Sequence, residues 1–541
     1  MKQVVLFILL SLAVTSCRSK QQKDVEQAAA SINQQDLGRY LTILSSDAYQ
    51  GRKPMTRGED STVAYIKSVF EKMNLKPAFG NSYFQHVPLV NIHSTPTDMV
   101  VHSKKGDVSF KPSVDFVAFT ETVTGKVDLK NAKLVFAGYG IVAPEYNWND
   151  YAGLDVKGKV VVVLVNDPGF ATGDTTLFKG KTMTYYGRWT YKYEEAARQG
   201  AAGCIIVHEE AAAAYPWSVV VSSNSGSNLF LQAGSKKVYT CGVEGWMTRE
   251  TAQSLFSNCH MDYTTEKQKA CVRGYKPVEL NATVSLSLSN KIRMGESKNV
   301  GAMLEGSGRK DECVIYSAHW DHLGIGKPIN GDSIYNGAAD NASGVATMLD
   351  IAKAFSNLKV KPERSIMFIA FTGEEAGLLG AAYYVKNPVF PLKKTVADIN
   401  FDVLSFWGRM KDVTLLSYGE SELDNYVAKA AAKQDRYILP NQFPEKGGFF
   451  RADHFWFARM GVPVIYGNGT SDHREKGKEF ARQKMIDYTT QHYHRPSDEY
   501  NPKIHDLSGA VEDAKLFFEI GCVLGNESTF PKWYDKSLWK R

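Results

Sequence analysis

No apolar run in the 541 residues reaches 18, no Cys-x-x-Cys or Gly-x-Ser-x-Gly occurs, and no Lys/Arg cluster is interleaved with aromatics. The first absence excludes a conventional membrane-spanning helix. The next two leave a thiolate zinc site and a serine-hydrolase elbow without support. The last, with a net charge of only +6, argues against a nucleic-acid partner. Cysteine is scarce as well, at seven residues. Cys204, Cys313 and Cys522 lie in apolar runs, as buried free thiols do. Cys259 and Cys271 stand in a polar stretch and are the candidates for pairing in an oxidising compartment. With 43% hydrophobic and 23% charged residues the chain reads as globular, and its length asks for two or more domains.

What is present begins at the N-terminus. Lys2 precedes an apolar run from Val4 to Val14, the layout of an export signal. Val14-Thr15-Ser16-Cys17 resembles a bacterial lipobox, in which the cysteine is lipidated, and polar Arg18 to Lys23 follows as a tether would. The expected organisation is a signal peptide (1–16), a tether (17–30), a first enzyme segment (31–120), an insertion (121–288) and a second enzyme segment (289–541). The protein is expected to be exported and held by lipid at the bacterial membrane, the outer one, facing the periplasm. The insertion is set apart by short β runs rich in glycine, such as KLVFAGYGIVAP and VKGKVVVVLVNDPG.

The stretch from Cys313 to Gly380 organises the rest. Val314–Ala318 and Ile366–Phe371 read as buried parallel strands, with a helical pattern from Val345 to Phe355 between them. This is a β-α-β unit, so the fold class is α/β with a mixed, mostly parallel central sheet flanked by helices. Polar residues gather where strands end, the place open α/β sheets reserve for their sites. His319 and Asp321 follow the first strand, Glu374 and Glu375 the second, and Asp402 a third, INFD. Asp340 lies in a loop of small residues before the helix, where an N-cap is the plain alternative.

Two decoys fail on spacing. Gly180-Lys181-Thr182 has Thr175 where a phosphate-binding loop needs glycine, and His208-Glu209 has Ala212 where a second zinc histidine would stand. The Glu374–Glu375 pair is more specific. Adjacent carboxylates at a strand end repel unless a cation or a shared proton intervenes. One can hold metal while the other holds the attacking water. In His319-Trp320-Asp321 the Asp321 carboxylate is placed to receive the imidazole's second N–H. A late histidine comes from Tyr493-His494, and chemistry alone does not separate His494 from His492. This N/O donor set suits two zinc ions about 3.5–4 Å apart.

Taken together, AHWDHLG, YNGAADNASG, FTGEEAGLLG, NFD and YHRPSDE resemble the co-catalytic zinc aminopeptidases. That family includes aminopeptidase Y, the Streptomyces aminopeptidase, glutamate carboxypeptidase II and the transferrin receptor ectodomain. The segment LSSDAYQGRKPMTRGED is similar to the N-terminal part of bacterial members, and the insertion to their protease-associated domain. The resemblance implies a zinc-exopeptidase fold and two zinc ions held by His319, Asp340, Glu375, Asp402 and His494, with Asp340 bridging. It implies Glu374 as general base and Tyr493 as oxyanion donor, and its order favours His494 over His492. Ala339 departs from the family, where a second Asp is common. The implied activity is removal of N-terminal residues from peptides. A carboxypeptidase or dipeptidase on the same scaffold stays open, as does a receptor-like binding protein without catalysis.

Overall fold

The computed structural model describes residues 20–232 and 240–540, so the expected export signal and Cys17 lie outside the described residues. Packing divides the chain into two units. The first comprises residues up to Val87, Glu296–Gln442 and Arg451–Arg541; the second comprises Pro88–Gly295 and Phe443–Phe450. The sequence reading begins the insertion at residue 121. By packing, the second unit begins at 88, because Met99, Val101, Phe110 and Phe116 join one apolar cluster with Leu134, Val162 and Leu286.

In the first unit, helices α1 (Gln34–Leu44) and α2 (Arg57–Lys72) precede the sheet. Its elements follow as β1 (Val278–Leu304, from 296 in this unit), β2 (Cys313–His319), β3 (Gly324–Ile329), β4 (Asp332–Tyr335) and helix α3 (Ser343–Ser356). Then come β5 (Ser365–Phe371), α4 (Leu379–Lys386), β6 (Thr395–Phe401), β7 (Asp412–Leu415) and α5 (Leu423–Lys433). The unit closes with β8 (Tyr437–Pro440), α6 (His454–Arg459), β9 (Val464–Asn468), α7 (Gly477–Gln491) and α8 (Ser508–Asn526). Strands run in the order β1-β5-β2-β6-β9-β7-β8. The four neighbours β5, β2, β6 and β9 are mutually parallel, while β1 and β7 attach antiparallel. Every residue of β2, β5 and β6 is buried, the pattern of parallel strands covered on both faces. Helix α3 is buried at all but Lys353 and Ser356, as a crossover pressed on the sheet must be.

The second unit is less purely β than its sequence texture. Strands 126–136, 160–164, 203–208 and 243–248 run parallel in that order. Apolar clusters form on both faces, with helices at Trp189–Arg198, Arg249–Asn258 and Tyr263–Ala270. The expected Cys259–Cys271 bridge is not formed. Both thiols are free, and the Cys271 sulfur lies instead 3.5 Å from the Lys267 carbonyl and 3.5 Å from the Tyr139 hydroxyl. Cys204, Cys313 and Cys522 are buried and free. Among the described residues no helix is long and apolar enough to cross a membrane.

Candidate metal centre

Parallel register delivers the polar residues to one edge. His319, the last residue of β2, stands opposite Phe371, the last of β5, and Ala318 opposite Phe401, the last of β6. The chain beyond those ends supplies Glu374, Glu375 and Asp402. Asp340 comes from the turn before α3, where its peptide bond to Asn341 is cis. The Asp498 carboxylate accepts the N–H of Ala339 (2.9 Å) and of Asp340 (3.1 Å). The Asn341 amide accepts Gly344 N–H (2.9 Å) and donates to the Phe401 carbonyl (2.8 Å), tying the helix start to the end of β6. Gly344 is required there, since a Cβ would stand 2.3 Å from Asn341 Oδ1 and 2.5 Å from Phe401 O. Val403 and His494 have left-handed backbones (φ 54° and 57°), strain that persists where the surrounding structure over-determines it.

Asp340 offers one oxygen to each of two imidazoles. His319 Nε2 lies 3.2 Å from Asp340 Oδ1 and 3.2 Å from Asp402 Oδ1. His494 Nε2 lies 3.2 Å from Asp340 Oδ2 and 3.1 Å from Glu375 Oε2. A tetrahedral zinc with bonds of about 2.0–2.2 Å keeps its donors roughly 3.3–3.6 Å apart, close to these spacings. His494 Nε2 is buried and, despite its two close carboxylates, is aligned with neither for a hydrogen bond. The donor set therefore fits metal. His322 also reaches Glu375, but its Nδ1 is 2.6 Å from Oε1, a hydrogen-bond length too short for two donors on one ion. Glu374 Oε2 lies 3.7 Å from His319 Nε2.

Without a cation the centre is over-supplied with buried acid. Burial, aided by Asp402 and Glu375, pushes the Glu374 carboxyl well above its usual range. Burial raises Asp402 and, well above normal, Asp453. Burial also opposes ionisation of Asp340, yet the adjacent His319 and His494 imidazoles hold its carboxyl well below the usual range. In the same way Glu375 is pulled to about 2 by His494 and His322. Both ligand-type imidazoles answer in kind. Although burial opposes their charge, Glu374 and its neighbours lift His319 well above normal, and Glu375 and Asp340 lift His494 to about 10.

The structure thus gathers His319, Asp321, Asp340, Glu374, Glu375, Asp402, Tyr493 and His494 into one place. His492 is elsewhere, half-buried, with Nδ1 at 3.0 Å from the Ser497 carbonyl. Tyr493 stacks on His494 (centroids 3.9 Å apart) and is 40% exposed. Desolvation and the carboxylates of Asp340, Glu375 and Glu374 push its phenol well up, so it remains a donor at neutral pH.

Asp321 requires a correction. Its carboxylate does not take the His319 N–H: Nδ1 is 3.8 Å from Oδ1 and 3.1 Å from the Asp321 backbone oxygen. The side chain turns to accept the Glu374 N–H at 3.0 Å, because the β5 turn brings that amide closer. The residue at this position fixes the Glu374 backbone rather than the imidazole.

Sequence reasoning missed His322, Asp453 and Asp498. Each had a faint signal: His322 stands three residues after His319, Asp453 precedes a histidine, and Asp498 ends the stretch carrying His494. Asp453 is fully buried with both oxygens unpartnered. A cavity of about 420 Å³ walled in part by Phe406, Trp407 and Phe480 includes Asp498 and Tyr488 but none of the ligand-type residues.

Comparison with known proteins agrees with this geometry. Residues 299–516 match the model of peptidase family M28, and residues 123–244 match the PA domain. Aminopeptidase NAALADL1 of Mus musculus is 30% identical over 152 residues, 27% of this chain and 18% of the mouse protein. Leucine aminopeptidase 2 of Arthroderma otae is 26% identical over 227 residues, 40% of this chain and 43% of that protein. The matched part thus spans less than half the length of these curated relatives. The solved aminopeptidase from Aneurinibacillus sp. strain AM-1 shares the fold, with a TM-score of 0.50 at 16% identity over 94% of this chain and 97% of that one. Residues 299–516 thus carry the likeness to peptidase family M28, and residues 123–244 the likeness to a PA domain.

Proposed function

We propose that this chain is a zinc-dependent exopeptidase that releases residues from the amino end of peptides, using two zinc ions. One observation carries the reading: Asp340 presents its two oxygens to two histidines, and Asp402 and Glu375 complete a three-donor set on either side. One ion would be held by His319, Asp340 and Asp402, the other by Asp340, Glu375 and His494. When bound, zinc polarises the scissile carbonyl and acidifies the attacking water.

The chain's own residues supply the rest. Glu374, whose buried carboxyl has a raised affinity for protons, takes the proton from water and returns it to the departing amine. Asp321 anchors the Glu374 backbone. Tyr493 donates a hydrogen bond from its hydroxyl to the developing oxyanion. Attack at the amino end is supported by the likeness to aminopeptidase NAALADL1 and leucine aminopeptidase 2. Cys17 is the proposed lipid anchor, which would place the enzyme on a bacterial membrane with peptides as its substrates.

The test is a panel of fluorogenic aminoacyl substrates, free and N-acetylated, with and without a chelator. Cleavage of free substrates alone, abolished by chelation and restored by zinc, is expected. Equal cleavage of acetylated peptides would overturn the amino-end assignment, and full activity after demetallation would overturn the zinc reading.

A further inference from the structure

Arg52 is 99% buried, far upstream of every ligand-type residue and outside the matched segment 299–516. Its guanidinium donates to four backbone carbonyls. Nε reaches Trp320 O (2.8 Å), Nη1 reaches Leu44 O (2.8 Å) and Asn336 O (2.5 Å), and Nη2 reaches Gly337 O (2.8 Å). Its own carbonyl accepts the His322 N–H at 3.4 Å. One of these attachments lies on the arm that carries His319 and His322, and the next pair lies on the arm that runs into Asp340. Between the arms the chain leaves as the β3–β4 hairpin and returns; pairing closes the hairpin at Gly324 and Tyr335, and Trp320, Asn336 and Gly337 lie beyond that last pair.

The local backbone is bent to make this reach. Gln50, Gly51 and Arg52 all have left-handed φ (49°, 63° and 51°), a strained run for which only the glycine is suited. A Cβ on Gly51 would stand 2.5 Å from Tyr335 O and 2.7 Å from Gly324 O, the two ends of the hairpin. Burial lowers the guanidinium only to about 10, and Asp498, Asp340, Asp321 and Glu375 oppose that fall, so it stays cationic at neutral pH.

We propose that Arg52 is the positioning residue of the metal centre: its four-carbonyl fork fixes the distance between the His319–His322 arm and the Gly337–Asp340 arm. This rests on the metal reading above. A planar fork with several fixed N–H directions suits the task, and an ammonium of three donors does not.

The experiment compares Arg52→Lys and Arg52→Met with the parent in three measurements: zinc affinity by competition with a chromophoric chelator, the absorption spectrum of the cobalt-substituted protein, and melting of the metal-free protein. Arg364→Lys serves as control, since Arg364 is equally buried but donates to Leu524 O near the start of β5. Removing the partner of a ligand commonly weakens metal binding about 10–100-fold. Arg52→Lys is expected to lose affinity in that range with an altered cobalt spectrum, and Arg52→Met to lose more. The control should melt lower while keeping affinity and spectrum. Should Arg52→Met not fold, Arg52→Lys still decides. Parental affinity and spectrum in Arg52→Lys, or an equal loss in the control, overturns the proposal. A parent that binds no zinc overturns the metal reading itself.

Discussion

Asp340 has two oxygens and spends both on imidazoles, which leaves Glu374 as the acid beside His319 Nε2 that completes neither three-donor set. Charge and ligation are therefore separable at this residue. Glu374→Gln keeps the shape and cannot accept a proton, so kcat should fall roughly 10²–10⁴-fold with metal content unchanged. Metal analysis beside kcat checks it, and a variant with both zincs and parental kcat would move the base elsewhere. Asp398 allows a second test. Burial lifts its carboxyl to about 8, with the Ser317 hydroxyl donating to it at 2.7 Å. Its folded value lies above the unfolded one of about 3.9, so its stabilising contribution is complete below about pH 4 and is lost as pH rises to about 8. Asp398→Asn cannot ionise and should gain Tm relative to the parent steadily across that window. A Tm difference independent of pH would count against it. The ligand-type residues were legible because charge at the end of an apolar strand has no other use. His322 and Arg52 were not, because Glu375 lies 53 residues from the one and Gly337 285 residues from the other.

Strands β2, β5 and β6 and helix α3 were legible from unbroken apolar runs of the right length. Of the insertion's helices the sequence shows a short one from Tyr193 to Gln199, overlapping the helix Trp189–Arg198; the others were obscured by the glycine-rich runs around them. Helix α7 was missed for a different reason. Ala481 is its only buried residue, so it lacks the apolar stripe that periodicity detects. The hairpin β3–β4 was missed because Gly324–Ile329 is largely exposed and does not alternate. Packing between α3 and β6 leaves no tolerance at Gly344. Gly344→Ala should destabilise by about 1–3 kcal/mol, visible as a lower Tm, and should also weaken zinc binding because Asn341 must move. A lower Tm with unchanged zinc affinity would show that the helix start and Asp340 are not coupled.

Across the whole chain, the second unit is assembled from segments that a reading by texture divides elsewhere. Strands before residue 121 lack the glycine signature yet share its core, and residues 443–450 belong to it from far downstream. Such membership follows from contacts, which linear composition does not encode. The proposed anchor acts on the molecule as a body. Cys17→Ser should move the protein from the membrane fraction to the soluble one without changing its turnover, and identical fractionation of parent and variant would refute the anchor.

The distance from Arg52 to Gly337 has a bearing on how the protein is made. At about 5–20 residues per second, the 285 residues between them occupy the ribosome for roughly 14–57 s. Through that interval the guanidinium and Leu44 have been synthesised, Gly337 has not, and His494 comes later still. A centre built this way stays incomplete until nearly the whole chain has been made.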